Sequence, residues 1–157
     1  PTVATNYLAE VCRHWEKAAL QFENIKIEVS IVRTGIVFGD GGKAFSSFKS
    51  LAKLPVWILP NKGLQQISWI DINDLCTVYQ SIVDNNIGGI INACNPFSIR
   101  LKELLSKIAG RKKPLINLPT VFVKLLLGAK STLLIQGAAI DSSKLKKINF
   151  NWPKSSF

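Results

Sequence analysis

Apolar residues recur along the chain with two alternating periods, and this alternation predicts an α/β protein. Positions 5–22 repeat apolar side chains, Trp15 among them, every three or four residues, which predicts one apolar stripe of an amphipathic helix with Thr5 or Asn6 as its N-cap. A strand is then predicted over 26–34. After a glycine-rich turn, a short helix is predicted over 44–53.

The same alternation continues through the middle of the chain. Residues 65–70 alternate like a strand, and Asp71 is placed to cap the helix that follows. Residues 89–94 form a nearly continuous apolar run, which is typical of a buried parallel strand. The next helix is predicted to begin at Ser98 and to end at Gly110. The helix after Asp71 is predicted to bury Leu75, Val78, Tyr79, Ile82 and Val83.

The last part of the chain predicts a short strand over 114–118 and a helix from Pro119 to about Gly128. Residues 121–140 are apolar, but charged residues and glycines interrupt them, so a membrane-spanning helix is not expected. We predict two short helices there and no membrane partner.

Composition limits the kinds of site that the chain can build. The chain has 157 residues, 47% of them hydrophobic, which suits one domain with a real core. Cys12, Cys76 and Cys94 are widely spaced, and His14 is the single histidine. These counts argue against a disulfide framework and against a thiolate or histidine metal site, so we expect no metal and a reducing, cytoplasmic location.

Positive charge is concentrated in the last third of the chain. The formal net charge is +10, and residues 101–157 hold eleven Lys/Arg against two Asp/Glu. One reading is a solvated basic face, and another is a site for an anionic ligand such as a nucleotide or an acyl carrier. The clusters at 111–113 and 144–147 are not interleaved with aromatic residues, so we expect no nucleic-acid partner.

The segment 39–44 formally fits the G-x-G-x-x-A pattern of a dinucleotide-binding turn. It follows a strand and opens a helix, as such a turn requires. The next acidic residue after Asp40 is Asp71, however, which is too distant to hold a ribose. We therefore favour a flexible loop over a phosphate cradle.

Two short segments carry candidate binding residues. Arg33, Thr34 and Gly35 stand at the carboxyl end of a strand, where an arginine can pair with a phosphate and a glycine lets the backbone approach a ligand. The alternative is an arginine paired with a carboxylate inside the fold. Trp69 and Asp71 are candidates for substrate contact, although Asp71, as N-cap, and Asp74, in the first turn, have a helix-stabilising role that would explain them equally.

These segments together resemble a known family. The order of segments 7–16, 31–39, 68–75 and 92–96 is similar to that in the extended short-chain dehydrogenases/reductases, the NAD-dependent epimerase/dehydratase family. The sugar-nucleotide-epimerase-like subgroup resembles the chain most, and segments 118–128 and 143–153 look like parts of that subgroup's C-terminal domain of unknown function.

The resemblance implies NAD or NADP as cofactor and a small, nucleotide-sugar-like substrate. It also implies that Arg33, Thr34 and Gly35 face the cofactor and that Trp69 and Asp71 contact the substrate, although the family more often has His where this chain has Asp71. The family's glycine-rich loop and its Y-x-x-x-K pair do not occur in this sequence, so we expect no catalytic residue here.

The resulting expectation is an α/β fold. Residues 1–43 and 65–97 are expected to form the C-terminal half of a Rossmann-like doubly wound parallel sheet, and residues 44–64 and 98–157 a small, mostly helical substrate-binding domain. The chain begins with Pro1 and contains no methionine, so we expect a C-terminal fragment.

Three functions fit this expectation. One is the C-terminal portion of a nicotinamide-dependent epimerase, dehydratase or reductase that is inactive alone. The others are an interaction module that uses the basic tail and a relative that binds nucleotide without catalysis. The expected partners are the missing N-terminal half, a small-molecule substrate and a second copy of the chain.

Overall fold

The computed structural model describes residues 7–119, 121, 137, 139–147, 150 and 152. The predicted caps Thr5 and Asn6 and most of the helices predicted after Pro119 lie outside the described residues. Within them, strands and helices alternate as the sequence pattern predicts. The helices are α1 (Tyr7–Leu20), α2 (Lys43–Lys53), α3 (Ile72–Asp84), α4 (Leu101–Ala109) and α5 (Ser143–Lys147). The strands are β1 (Ser30–Thr34), β2 (Ile36–Phe38), β3 (Trp57–Pro60), β4 (Gln66–Ile67), β5 (Trp69–Asp71), β6 (Gly89–Ala93), β7 (Ile99–Arg100) and β8 (Leu115–Leu118).

Most strand pairs in the described part of the chain are parallel. Strands β1 and β6, β2 and β5, and β3 and β8 pair in parallel, whereas β4 and β7 pair antiparallel. Helices connect the parallel strands, as crossover connections require. The predicted α/β fold is therefore confirmed.

Three apolar clusters hold the elements together. One joins α3 to β5, β6 and α5 through Ile70, Val78, Ile91 and Leu145, all fully buried. A second packs α2 and α4 against β3. The third links the two, because it contains Phe38, Trp69 and Leu104 from β2, β5 and α4. Burial of each large side chain contributes roughly 1.5–3 kcal/mol to folding, so the clusters dominate the stability of the described fold.

Two predicted strands are shorter or divided. The first begins at Ser30 rather than at residue 26, because the backbone of Lys26 is left-handed and closes a 3₁₀ turn after α1. The strand predicted over 65–70 is divided at Ser68 into β4 and β5, which pair with different strands. Local periodicity marked both regions as extended but did not show where their pairing begins or changes.

Helix surfaces also differ from the predicted ones. Trp15 in α1 and Val83 in α3 are 72% and 70% exposed, and Tyr79 is half-exposed, because no described element covers these sides of the helices. The predicted cap at Ser98 is wrong: α4 begins after Arg100, and the Ser98 hydroxyl donates instead to Gln66 Oε1 at 3.0 Å. The predicted stop at Gly110 is confirmed by its left-handed backbone.

The two valines of α3 provide a test of this packing. Val78 is fully buried, whereas Val83 is mostly exposed. We expect Val78→Ala to lower the free energy of unfolding by about 2–3 kcal/mol, since it removes two buried methyl groups and leaves a cavity. Val83→Ala, the matched control, is expected to change it by less than about 0.5 kcal/mol. Urea unfolding followed by circular dichroism measures both, and equal losses would contradict the described packing of α3.

Candidate functional site

Two parallel strand pairs follow one another along residues 30–38. Thr34 at the end of β1 lies opposite Ala93 at the end of β6, and Phe38 at the end of β2 lies opposite Asp71 at the end of β5, so β5 begins where β6 ends. In open α/β sheets, ligands bind outside the carboxyl ends of the strands. The predicted site residues Arg33, Thr34, Gly35, Trp69 and Asp71 all lie on these strands or immediately after them.

Gly35 lies where residues 30–38 change their pairing partner from β6 to β5. Its N–H donates to the Ala93 carbonyl at 3.1 Å, and the N–H of Ile36 donates to the Ser68 carbonyl at 2.9 Å. A Cβ on Gly35 would lie 2.8 Å from the Ser68 carbonyl oxygen, closer than side chains allow. The close approach of the Ser68 backbone thus explains this glycine; the approach of a cofactor to the same residue stays a prediction.

An open cleft of about 560 Å³ lies beside Trp69. Trp69 is buried and stacks on Phe38, with ring centroids 5.7 Å apart. The buried Asn95 is held by two backbone contacts: its N–H donates to the Trp69 carbonyl at 2.7 Å, and its Oδ1 accepts from the N–H of Phe97 at 2.9 Å. The cleft therefore combines an aromatic wall with a positioned amide, which suits a small polar ligand.

Asn95 is a site residue that the sequence motifs do not mark. The available signal was its position two residues after the buried strand β6, at the carboxyl end of that strand. Glu103, Ser106 and Lys107 of α4 also line the cleft. Their contribution depends on how α4 packs across the strands, which the spacing of residues along the chain does not reveal.

Arg33 is paired within the fold. Its Nε and Nη2 atoms donate hydrogen bonds to the two carboxylate oxygens of Glu16, each at 2.6 Å. The guanidinium therefore links α1 to β1. These hydrogen bonds lower the pKa of Glu16 and raise that of Arg33. A carboxylate partner inside the fold is the alternative to a cofactor contact that the sequence leaves open for Arg33. The cofactor contact of Arg33 and Thr34 stays a prediction, and Thr34 is exposed at the edge.

Asp71 occupies the predicted helix cap. Its Oδ1 accepts from the N–H of Asn73 at 2.8 Å, which confirms it as the N-cap of α3. Asp74 is buried in the first turn of the helix, and burial, with a smaller effect from the charge of Asp71, raises the pKa of its carboxyl. Substrate contact by Trp69 or Asp71 stays a prediction. Of the two, Trp69 lines the cleft, whereas Asp71 does not.

The described residues limit other kinds of chemistry. They contain no group of three or more His, Cys, Asp or Glu side chains that could hold a metal ion. None of the described helices is long and apolar enough to cross a bilayer. Burial raises the pKa of the Cys94 thiol, which makes it a poor nucleophile. The turn at Gly39 is packed against Ile72, whose Cγ2 would lie 2.7 Å from an added Cβ.

Known proteins resemble the chain in sequence and in fold. No family model matches it. The chloroplastic SDR39U1-homologue epimerase family protein of Arabidopsis thaliana is 30% identical over 154 residues, which cover 94% of this chain and 43% of that protein. The chain thus spans less than half of that relative's length. An epimerase family protein of Staphylococcus aureus is 27% identical over 158 residues, which cover 98% of this chain and 52% of that protein.

Solved structures share the fold. The human epimerase family protein SDR39U1, crystallised with NADPH, superposes with a TM-score of 0.62 at 24% identity over 80% of this chain and 44% of its own. The dTDP-glucose 4,6-dehydratase of Bacillus anthracis, in complex with NAD, superposes with a TM-score of 0.71 at 15% identity over the whole chain and 50% of its own. With the motifs and the parallel α/β fold described above, these matches lead to one conclusion: the chain is a homologue of proteins named as epimerase family proteins, and it shares the fold of NAD-binding epimerases and dehydratases.

Proposed function

We propose that the chain forms the substrate-binding half of an NAD(P)-dependent epimerase, dehydratase or reductase that acts on a nucleotide-sugar-like small molecule. The observation that carries this proposal is the cleft walled by Trp69 and Asn95, which adjoins the carboxyl edge of the strands. In this arrangement the packed ring of Trp69 forms an apolar wall of the cleft, and Asn95 supplies a fixed amide. The cytoplasm is the proposed location, since the three cysteines are free.

The cofactor is proposed to lie along the ends of β1 and β2. When bound, a nicotinamide supplies the hydride acceptor or donor for the reaction. In this chain, Arg33 and Thr34 would contact its polar groups, and the backbone at Gly35 would lie beside it. The sequence contains neither the glycine-rich loop nor the Y-x-x-x-K pair, so the chain alone is proposed to be inactive and to have no measurable NAD(P) affinity.

A nucleotide-binding half of the Rossmann sheet is the proposed partner. Strand β1 pairs with β6 along one edge, and no described strand occupies its other edge. Large apolar side chains lie exposed on the neighbouring segment, among them Tyr7, Trp15 and Phe22. An open edge next to exposed apolar surface favours association, either with that half or with a second copy of the chain.

A non-catalytic role in nucleotide binding or protein interaction is the second candidate. The observation that favours it is the concentration of lysines around α4 and β8, several of which line open grooves. Such a protein would bind an anionic ligand through the basic region and would need no hydride chemistry.

Binding of nucleotide sugars to the cleft tests the substrate proposal. We expect UDP- or dTDP-hexoses to shift the Trp69 indole and Asn95 amide signals in NMR spectra of the chain. Loss of one such contact in Trp69→Ala or Asn95→Ala is expected to weaken binding about tenfold, equivalent to about 1.4 kcal/mol. Trp15→Ala, on the exposed side of α1, is the matched control. Equal binding by all three variants would contradict the assignment of the cleft.

Arg33 and Glu16 separate a cofactor role from a structural one. In the protein that contains the nucleotide-binding half, Arg33→Ala is expected to weaken cofactor binding about ten- to a hundredfold, because a charge-assisted hydrogen bond contributes roughly 1.5–3 kcal/mol. Glu16→Gln removes the ion pair but keeps the guanidinium, so cofactor affinity should stay unchanged. Both variants should lose roughly 0.2–1 kcal/mol of stability, as expected for a partly exposed pair. Calorimetry measures the cofactor dissociation constant of each variant. Equal constants for the two variants would mean that Arg33 serves only the ion pair with Glu16 and does not contact the cofactor.

Self-association tests the open edge. We expect the isolated chain to form concentration-dependent dimers in analytical ultracentrifugation, and Trp15→Ser to shift the equilibrium towards monomer by removing exposed apolar area. Phe97→Ser is the control, because Phe97 is equally exposed but lies at the cleft. A strictly monomeric chain, or an identical effect of both variants, would contradict the proposed association surface.

A further inference from the structure

A second groove, of about 510 Å³, lies between α4 and the paired strands β3 and β8. Its lining includes no residue of β1, β2, β5 or β6, so it is separate from the strand ends at which the cofactor is proposed to bind. It touches the cleft only through Glu103, Ser106 and Lys112, which line both. The residues that matter for its chemistry are Trp57, Lys62, Lys102, Lys112 and Asn117.

The groove has an excess of positive charge. Among the described residues, the side chains of Lys62, Lys102 and Lys112 form neither a salt bridge nor a hydrogen bond. Lys113 differs, because its Nζ donates to the carbonyls of residues 52–54 and closes the end of α2. The one carboxylate in the lining, Glu103, lies 3.7 Å from Arg100. The described lining thus holds four lysines against one carboxylate, and three of these lysines have no counter-charge within salt-bridge distance.

Trp57 places an unused hydrogen-bond donor in the groove wall. The residue is 2% exposed, and its Nε1 has no acceptor among the described residues. Buried indole N–H groups in folded proteins normally have a partner, so an unpaired one in a groove wall points to an acceptor supplied by a ligand. This observation is independent of the lysines.

The position of Lys62 is fixed by the backbone. Asn61 and Lys62 are both left-handed, with φ of 50° and 52°, and the N–H of Lys62 donates to Asn117 Oδ1 at 2.9 Å. Left-handed residues other than glycine are uncommon and persist only where the surroundings hold them. The 3₁₀ turn after β3 is therefore fastened to β8, and it presents Lys62 at the groove.

We infer that this groove binds the phosphate or diphosphate group of a small molecule. The Trp57 indole donates a hydrogen bond to one phosphate oxygen, and Lys62, Lys102 and Lys112 neutralise the charge. An apolar ligand does not suit three uncompensated ammonium groups. A single-stranded nucleic acid does not suit them either, because the ring of Trp57 is buried and offers no stacking face. The site uses neither the cofactor position nor the wall formed by Trp69 and Asn95.

Inorganic pyrophosphate is the probe, titrated into the ¹⁵N-labelled full chain. The indole cross-peak of Trp57, identified by its loss in Trp57→Phe, is expected to move and to saturate. Lys62→Gln and Lys112→Gln are each expected to raise the dissociation constant about tenfold, the effect of losing one charge-assisted contact. Lys17→Gln on α1 lowers the net charge equally but lies far along the chain from the groove, so it should leave the constant unchanged.

Two further ligands identify the source of the phosphate. UDP that competes with pyrophosphate, with the same dependence on Lys62, which lines the groove but not the cleft, would indicate a phosphate carried by a nucleotide. Binding of inorganic phosphate alone would indicate a free anion, and both results support the site. An unmoved Trp57 signal would overturn the inference. So would lysine variants that titrate like wild type, or a Lys17→Gln effect of the same size. Circular dichroism of each variant verifies that it folds, and the two lysine variants serve as independent tests if one does not.

Discussion

The strand over residues 30–38 changes its pairing partner at Gly35, and the position of the candidate site depends on that change. On one side of this strand the N–H of Gly35 donates to the carbonyl of Ala93 in β6. On the opposite side the N–H of Ile36 donates to the carbonyl of Ser68, the residue before β5. The Ser68 backbone comes so close that any side chain at position 35 would overlap with it. The single glycine therefore allows β5 to begin beside the point where β6 ends.

The cleft is an extension of this arrangement. Asn95 lies two residues after β6, and its N–H bonds to the carbonyl of Trp69, the first residue of β5, so the end of β6 and the start of β5 are joined a second time. The ring of Phe38 in β2 stacks on that of Trp69. The same Phe38 ring also contacts Phe45 of α2, with ring centroids 5.3 Å apart, and so connects this wall to α2. A wall built from strand ends and packed rings is preorganised for a ligand, which makes this edge a suitable place for substrate and cofactor.

Local sequence signals gave the correct elements where a local interaction determines them. Asp71 was predicted as a cap because its carboxylate reaches the first helical amides, and Gly110 as a stop because it adopts a left-handed backbone. Periodicity failed where long-range packing decides. It identified which residues of α1 share a face, but it did not show that Trp15 would remain exposed. The contact between Asn95 and Trp69, and the pair of Arg33 with Glu16, join segments distant in sequence, and residue spacing contains no information about them.

Amide hydrogen exchange measured residue by residue tests the central claim, that the change of partner at Gly35 locks the end of β6 to the start of β5. The N–H groups of Gly35, Ile36 and Asn95 bond across that junction. The N–H groups of Val32 and Thr34 alternate to the edge of β1 that faces no described strand. The account predicts that the three junction amides exchange only when the whole chain unfolds, while Val32 and Thr34 in the monomer exchange much faster by local opening. Junction amides that exchange as fast as Val32 and Thr34 would contradict it.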